Sequence, residues 1–132
     1  HDAGKAINPA IEMGQIDGGF VQGADWLGCE EVNWKNNGQI TTHSPSTYKI
    51  PAVSDMPEKF NAEIFKKGKN IENVINKSKT TGEPPLMNAM SVFFAIKNAI
   101  ASIGNYTVNP NLDAPATPEK ILMSIKNLQI KL

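Results

Sequence analysis

One cysteine, Cys29, is all that the 132-residue chain contains. An internal disulfide is therefore excluded, and the absence of a CxxC pair removes a thiolate metal site; a lone thiol fits a reducing compartment. The two histidines, His1 and His43, lie too far apart to carry ligand spacing, and no GxSxG sequence occurs. Neither a metal held by protein ligands nor a nucleophilic triad is expected. Charge of one sign is missing as well. The 13 basic and 13 acidic residues are interspersed and sum to a formal net charge of zero, which argues against a nucleic-acid or anionic-membrane partner. No apolar run is expected to span a bilayer, and no signal-peptide pattern opens the chain. An initiator methionine is also lacking. The chain starts on His1-Asp2-Ala3-Gly4 with structured sequence directly behind it, so a piece of a larger polypeptide is expected.

What is present reads as one domain, 1–132, with 40% hydrophobic and 20% charged residues, ordinary values for a globular protein. Ile16, Phe20, Ala24 and Leu27 recur at helical spacing and predict a helix over about 14–31. Gly18, Gly19 and Gly23 lie within it, each costing about 1 kcal/mol relative to alanine. Three in six positions point either to tight helix packing or to a bound group. Asn36-Asn37-Gly38 signals a hairpin turn before a short strand at 39–42, and residues 60–65 form a second strand candidate. Residues 66–80 read as a surface loop with a buried piece at Val74-Ile75. The most apolar segment, 86–103, predicts a buried helix ended by Gly104-Asn105. The long loop 105–116 is expected to drape over protein outside the chain. Thr117-Pro118 then starts a last helix with Ile121, Leu122, Ile125 and Leu128 on its apolar face. Trp26 and Trp34 read as packing residues. The order implies an α+β class, helices packed with short strands.

The chemistry concentrates in Lys79-Thr80-Thr81-Gly82-Glu83-Pro84-Pro85-Leu86. Pro84 biases Glu83 toward an extended conformation, and both prolines suit a helix entrance, where a missing N–H costs little. A carboxylate on such a stiff turn, with a glycine beside it leaving room for a bulky group, is placed to act as a base; an inert surface charge is the plainer alternative. Gln15 offers a neutral donor and acceptor at the start of the glycine-laden helix. It can touch a polar cofactor edge or serve merely as an exposed or capping glutamine.

Five stretches together resemble one family. Asn8-Pro-Ala-Ile-Glu-Met-Gly-Gln-Ile-Asp-Gly-Gly-Phe-Val-Gln-Gly23, Pro45-Ser-Thr-Tyr-Lys-Ile-Pro-Ala52, Ser78-Lys-Thr-Thr-Gly-Glu-Pro-Pro-Leu86, Ser91-Val-Phe-Phe-Ala-Ile-Lys97 and Ala114-Pro-Ala-Thr-Pro-Glu-Lys-Ile121 are similar, in order and spacing, to the xanthine dehydrogenase/oxidase family of molybdenum hydroxylases. They resemble the C-terminal part of its molybdopterin-binding region. The resemblance implies that Glu83 is the catalytic glutamate, taking the proton from a molybdenum-bound hydroxyl that attacks an electron-poor ring carbon. It implies that Gln15, Thr81 and Gly82 lie against the molybdopterin. The whole enzyme would hydroxylate hypoxanthine- or xanthine-type purines and pass electrons through 2Fe-2S clusters to FAD, then to NAD or O2. It would be a cytoplasmic or peroxisomal homodimer, with this piece inactive alone and the rest of its polypeptide as partner. The alternatives are an aldehyde oxidase-type fragment and a non-catalytic structural relative.

Overall fold

Asn8 opens the first helix. Its side-chain oxygen accepts from the Ile11 N–H at 3.3 Å, Pro9 takes the first helical position, and Glu12 reaches back to the Ile7 N–H at 2.8 Å. In the computed structural model, which describes all 132 residues, α1 accordingly spans Pro9–Gly28. It starts earlier than the periodicity predicts because Asn8 caps it and Pro9 takes its first position. It also ends earlier, where the Asp25 carbonyl collects both the Cys29 and Glu30 N–H groups. α2 (Glu83–Asn88), α3 (Met90–Ile103) and α4 (Pro118–Ile130) follow, with single 3-10 turns at Val53–Asp55 and Ile75–Lys77. α4 begins as expected, the Thr117 hydroxyl accepting from the Lys120 N–H at 3.4 Å.

Two packing centres hold these elements. At the first, α1 crosses α2 at backbone contact: a Cβ on Gly19 would lie 2.7 Å from the Gly82 carbonyl oxygen, and one on Gly23 would strike the Leu86 carbonyl and sit 2.7 Å from the Ala89 Cβ. Ile16, Pro85 and Ala89 are buried beside them. At the second, Ile100 of α3 and Leu128 of α4 close on Leu112 and Ala116, flanked by Phe93, Ile96, Val108, Ile121 and Ile125. The 105–116 loop is therefore not draped over missing protein. It supplies core residues to this chain and is tied to α1 by the Ala116 N–H on the Leu27 carbonyl at 2.6 Å.

The sheet half of the α+β expectation is not seen. Only two isolated bridges form, Gly4–Ser78 and Trp34–Ile40. The Asn36-Asn37-Gly38 turn is made, with Gly38 at φ +82° and the Lys35 N–H on the Gln39 carbonyl at 2.9 Å, yet no ladder grows beyond it. Residues 60–65 stay extended beside the N-terminus, the Phe65 N–H bonding the His1 carbonyl at 2.6 Å. A strand needs a neighbour along its length to satisfy its backbone, and each segment is bonded at only a few points, 39–42 to residues 33–35 and 60–65 to His1.

Burial is equally partial. Only 13 residues are buried and the accessible surface is 9452 Å², against roughly 6,800 Å² expected for a self-contained monomer of this mass. Trp26, Trp34, Val74 and Ile75 are exposed rather than packed. The bilayer expectation also needs correction: Glu83–Ile103 joins α2 and α3 into 21 residues containing an 18-residue stretch of mean hydropathy 1.4, long and apolar enough by length and composition to cross a membrane. Here that segment packs on α1 at one end and α4 at the other.

The glycine contacts make a direct prediction. Gly23→Ala should destabilise the fold by about 1–3 kcal/mol through overpacking. Gly28→Ala, with no atom within 4 Å of the added carbon, should be neutral or slightly stabilising. Shifts in the denaturant midpoint separate the two.

Candidate active site

α1 turns a polar stripe toward the segment ahead of α2. Gln15, Gly18 and Gln22 recur at three- and four-residue spacing and so share one side of the helix. With Gly14 and Gly19 they form one wall of a cleft of about 730 Å³, and Lys79 to Glu83 with Leu86 form the other. All four residues singled out in the sequence, Gln15, Thr81, Gly82 and Glu83, line this cleft. Gly82 faces Gln15 directly: a Cβ there would lie 3.7 Å from the Gln15 Oε1. Glu83 is the first residue of α2, exposed, with Pro85 buried behind it.

The polar groups of the cleft are largely unspent. The backbone N–H groups of Thr80, Thr81 and Gly82 donate to nothing within the chain. Among the lining side chains only Lys79 is engaged, its ammonium on Asp2 Oδ2 at 2.5 Å. Gly14 and Gly18 have no atom within 4 Å of where a Cβ would be, so the cleft wall is bare backbone there. The α1 glycines thus divide: Gly19 and Gly23 serve helix packing, while Gly14 and Gly18 keep the cleft open. Gln22 and Lys79 were not singled out from sequence. Gln22, seven residues from Gln15, could have been found from helical spacing; Lys79 could not, because its partner is 77 residues away.

A second, smaller cleft of about 490 Å³ shares Gly18 and Gln22 and continues along α1 past Trp26 to Glu30 and Tyr48. Around it sits a tight polar cluster. The Cys29 thiol donates to Asp25 Oδ1, the Tyr48 hydroxyl donates to Glu30, and Asp25 Oδ2 is buried without a partner. Burial pushes the Cys29 thiol up to about 11, with the Asp25 carboxylate adding to it. The Glu30 hydrogen bond pushes the Tyr48 hydroxyl up to about 12. Cys29 is thus a half-buried side chain held by a carboxylate, not a site of its own.

Residues 1–57 match the family model for the molybdopterin cofactor-binding domain. Xanthine dehydrogenase of Oryza sativa subsp. japonica is 43% identical over 134 aligned residues, covering 93% of this chain and 10% of that protein. Xanthine dehydrogenase/oxidase of Rattus norvegicus is 45% identical over 125 residues, covering 91% and 9%. Over most of its length the chain is similar to one segment of these two proteins. It spans about a tenth of the length of these curated relatives. In fold it is similar to a crystal structure of the Cu,Mo-CO dehydrogenase in its carbon monoxide-reduced state, with a TM-score of 0.77 and 19% identity, covering 99% of this chain and 16% of that one. At that identity the likeness concerns the fold alone, which here is helical, with two isolated bridges in place of the expected strands.

The raised thiol predicts low reactivity for Cys29. With a value of about 11, only about 0.1% is thiolate at pH 8. Alkylation followed by peptide mass spectrometry should be slow at pH 8 and rise about tenfold per pH unit toward pH 11. Asp25→Asn should accelerate it at pH 8.

Proposed function

We propose that this chain forms the part of a xanthine dehydrogenase-type molybdenum hydroxylase that sets a proton-accepting carboxylate, Glu83, beside the molybdopterin site. The reading is carried by the convergence of Gln15, Thr81, Gly82 and Glu83 on one cleft where their side chains and the 80–82 amides are unpartnered within the chain. The residues present fit the group. Free amides at 80–82 and the carboxamides of Gln15 and Gln22 suit the polar edges of a pterin, and Gly14 and Gly18 allow it to lie against bare backbone. When bound, molybdenum-molybdopterin supplies the oxygen-transfer and two-electron redox chemistry.

The chain's own contribution is at Glu83. Its carboxylate oxygens, free of any internal hydrogen bond or ion pair, accept the proton released in hydroxylation of a purine such as hypoxanthine or xanthine. The buried Pro85 anchors the turn behind it, so the carboxylate explores only side-chain rotations, and a base held this way loses little to reorientation. Gln15 orients the bound group from the opposite wall. Iron–sulfur clusters, FAD and the NAD or O2 that receives the electrons belong to the rest of the polypeptide, and this chain alone is inactive. The large exposed apolar surface supports that dependence.

In the full-length protein, Glu83→Gln should leave molybdenum content near normal and lower purine turnover by at least 100-fold, a loss of about 3 kcal/mol or more of transition-state stabilisation. A variant retaining a large fraction of the wild-type rate would exclude Glu83 as the base. Gly18→Leu fills an exposed helix position and should keep stability within about 1 kcal/mol. It should nonetheless reduce molybdenum content, read by metal analysis.

A further inference from the structure

The Glu83 turn is held from two sides, and only one of them belongs to the helices. Behind it, the Gly82 carbonyl and Pro85 rest on Gly19 of α1. Ahead of it, the chain is zipped onto its own N-terminus. The Lys79 N–H bonds the Ala3 carbonyl at 2.9 Å, the Lys5 N–H bonds the Lys77 carbonyl at 3.1 Å, and Gly4 pairs antiparallel with Ser78. Gly4 makes this approach at φ +62°, the left-handed region that suits glycine. An ion pair closes the zip: Lys79 Nζ donates to Asp2 Oδ2 at 2.5 Å, while Asp2 Oδ1 accepts from the Gly4 N–H at 2.9 Å. From the other side Asn70 Nδ2 donates to the Ser78 carbonyl at 2.9 Å.

Between these anchors lie Thr80, Thr81 and Gly82, whose own N–H groups are bonded to nothing in the chain. The three residues are suspended rather than self-supporting. Lys79 lines the same cleft as Glu83, and a lysine there would ordinarily read as a cation for an anionic ligand. Its charge is instead committed to Asp2. That commitment marks it as part of the support.

We propose that Asp2 and Lys79 are positioning residues for Glu83, their ion pair fixing the 80–82 turn from its N-terminal side and so setting where the Glu83 carboxylate stands in the cleft. This rests on the reading of Glu83 as the base. Removing one partner frees the upstream end of the turn while the Gly19 contact still holds α2. The carboxylate is then displaced without the helices coming apart.

The test uses the full-length enzyme with Asp2→Asn, Lys79→Gln, Lys79→Arg and Glu83→Gln, plus the double variant carrying both Asp2→Asn and Glu83→Gln. Asp2→Asn and Lys79→Gln should speed backbone hydrogen exchange across residues 77–83 several-fold, read by mass spectrometry. They should lower kcat by about 10- to 100-fold, the scale of a misplaced reacting group, with molybdenum content unchanged. Lys79→Arg, keeping the cation, should restore most of both. In the Glu83→Gln background, adding Asp2→Asn should cost nothing more in single-turnover rate, because a group acting through Glu83 has nothing left to position. Unchanged exchange and kcat in both Asp2→Asn and Lys79→Gln would overturn the proposal. So would a fall in kcat that merely tracks lost molybdenum, or a full additive loss in the double variant. If Glu83→Gln itself remains active, the base assignment fails, whereas the exchange measurement still reports on the anchor.

Discussion

Everything near the cleft depends on how closely two backbones meet at Gly19 and Gly23. The Gly82 and Leu86 carbonyls occupy the space where side chains on α1 would be. This brings the start of α1, with Gln15, level with the turn that carries Glu83. A larger residue at either glycine would push α2 outward and widen the cleft at its floor. Two glycines in a helix interior cost about 1 kcal/mol each in propensity, and the cost is offset only where close packing or function requires it. Here the contact also seats Pro85, so the stiffness of the Glu83 turn and the helix crossing share one physical cause.

The unburied apolar surface follows from the same architecture. With one packing centre at α1 and α2 and another at α3 and α4, no single core encloses the helices. Phe94, Met87 and Met90 remain exposed on the flank of α2 and α3. An exposed stripe of this kind normally faces another protein surface. The two extended segments are paired only in part: Gln39 and Thr41 bond back to residues 33–35, and Glu63 and Phe65 bond to His1.

Local chemistry was legible in the sequence wherever it is local. The Pro84-Pro85 helix entrance, the Thr117-Pro118 helix start and the Asn36-Asn37-Gly38 turn all occur as their residue types require, whereas Glu83, expected extended before Pro84, is the first residue of α2. Long-range consequences were not. Val74, Ile75, Trp26 and Trp34 have the composition of core residues, but composition does not reveal that nothing in this chain packs over them. The loop 105–116 was misjudged for the opposite reason: Leu112 and Ala116 reach a core formed by helices on both sides of them in sequence, which loop length alone conceals. The Asn8 cap was legible in principle, since Asn-Pro is a helix start as well as a turn signal. The choice turns on Glu12, which bonds back to Ile7.

The divided glycines show why one helix can both pack and bind. Successive residues on an α-helix are rotated by about 100°. Gly19 and Gly23 therefore fall on one stripe with the buried Ile16, while Gln15, Gln22 and Gly18 fall on the flank beside it, and Gly14, one turn before Gly18, lies at the far edge of that flank. The first stripe is defined by the atoms that a Cβ would strike, and the second by the absence of any atom within 4 Å. Tight packing alone would leave no reason for bare backbone at Gly14 and Gly18, and a bound group alone would leave none for the carbonyl contacts at Gly19 and Gly23. The sequence presented these as alternative explanations of one glycine cluster. On the helix they are adjacent faces, and Glu83 sits where the two meet.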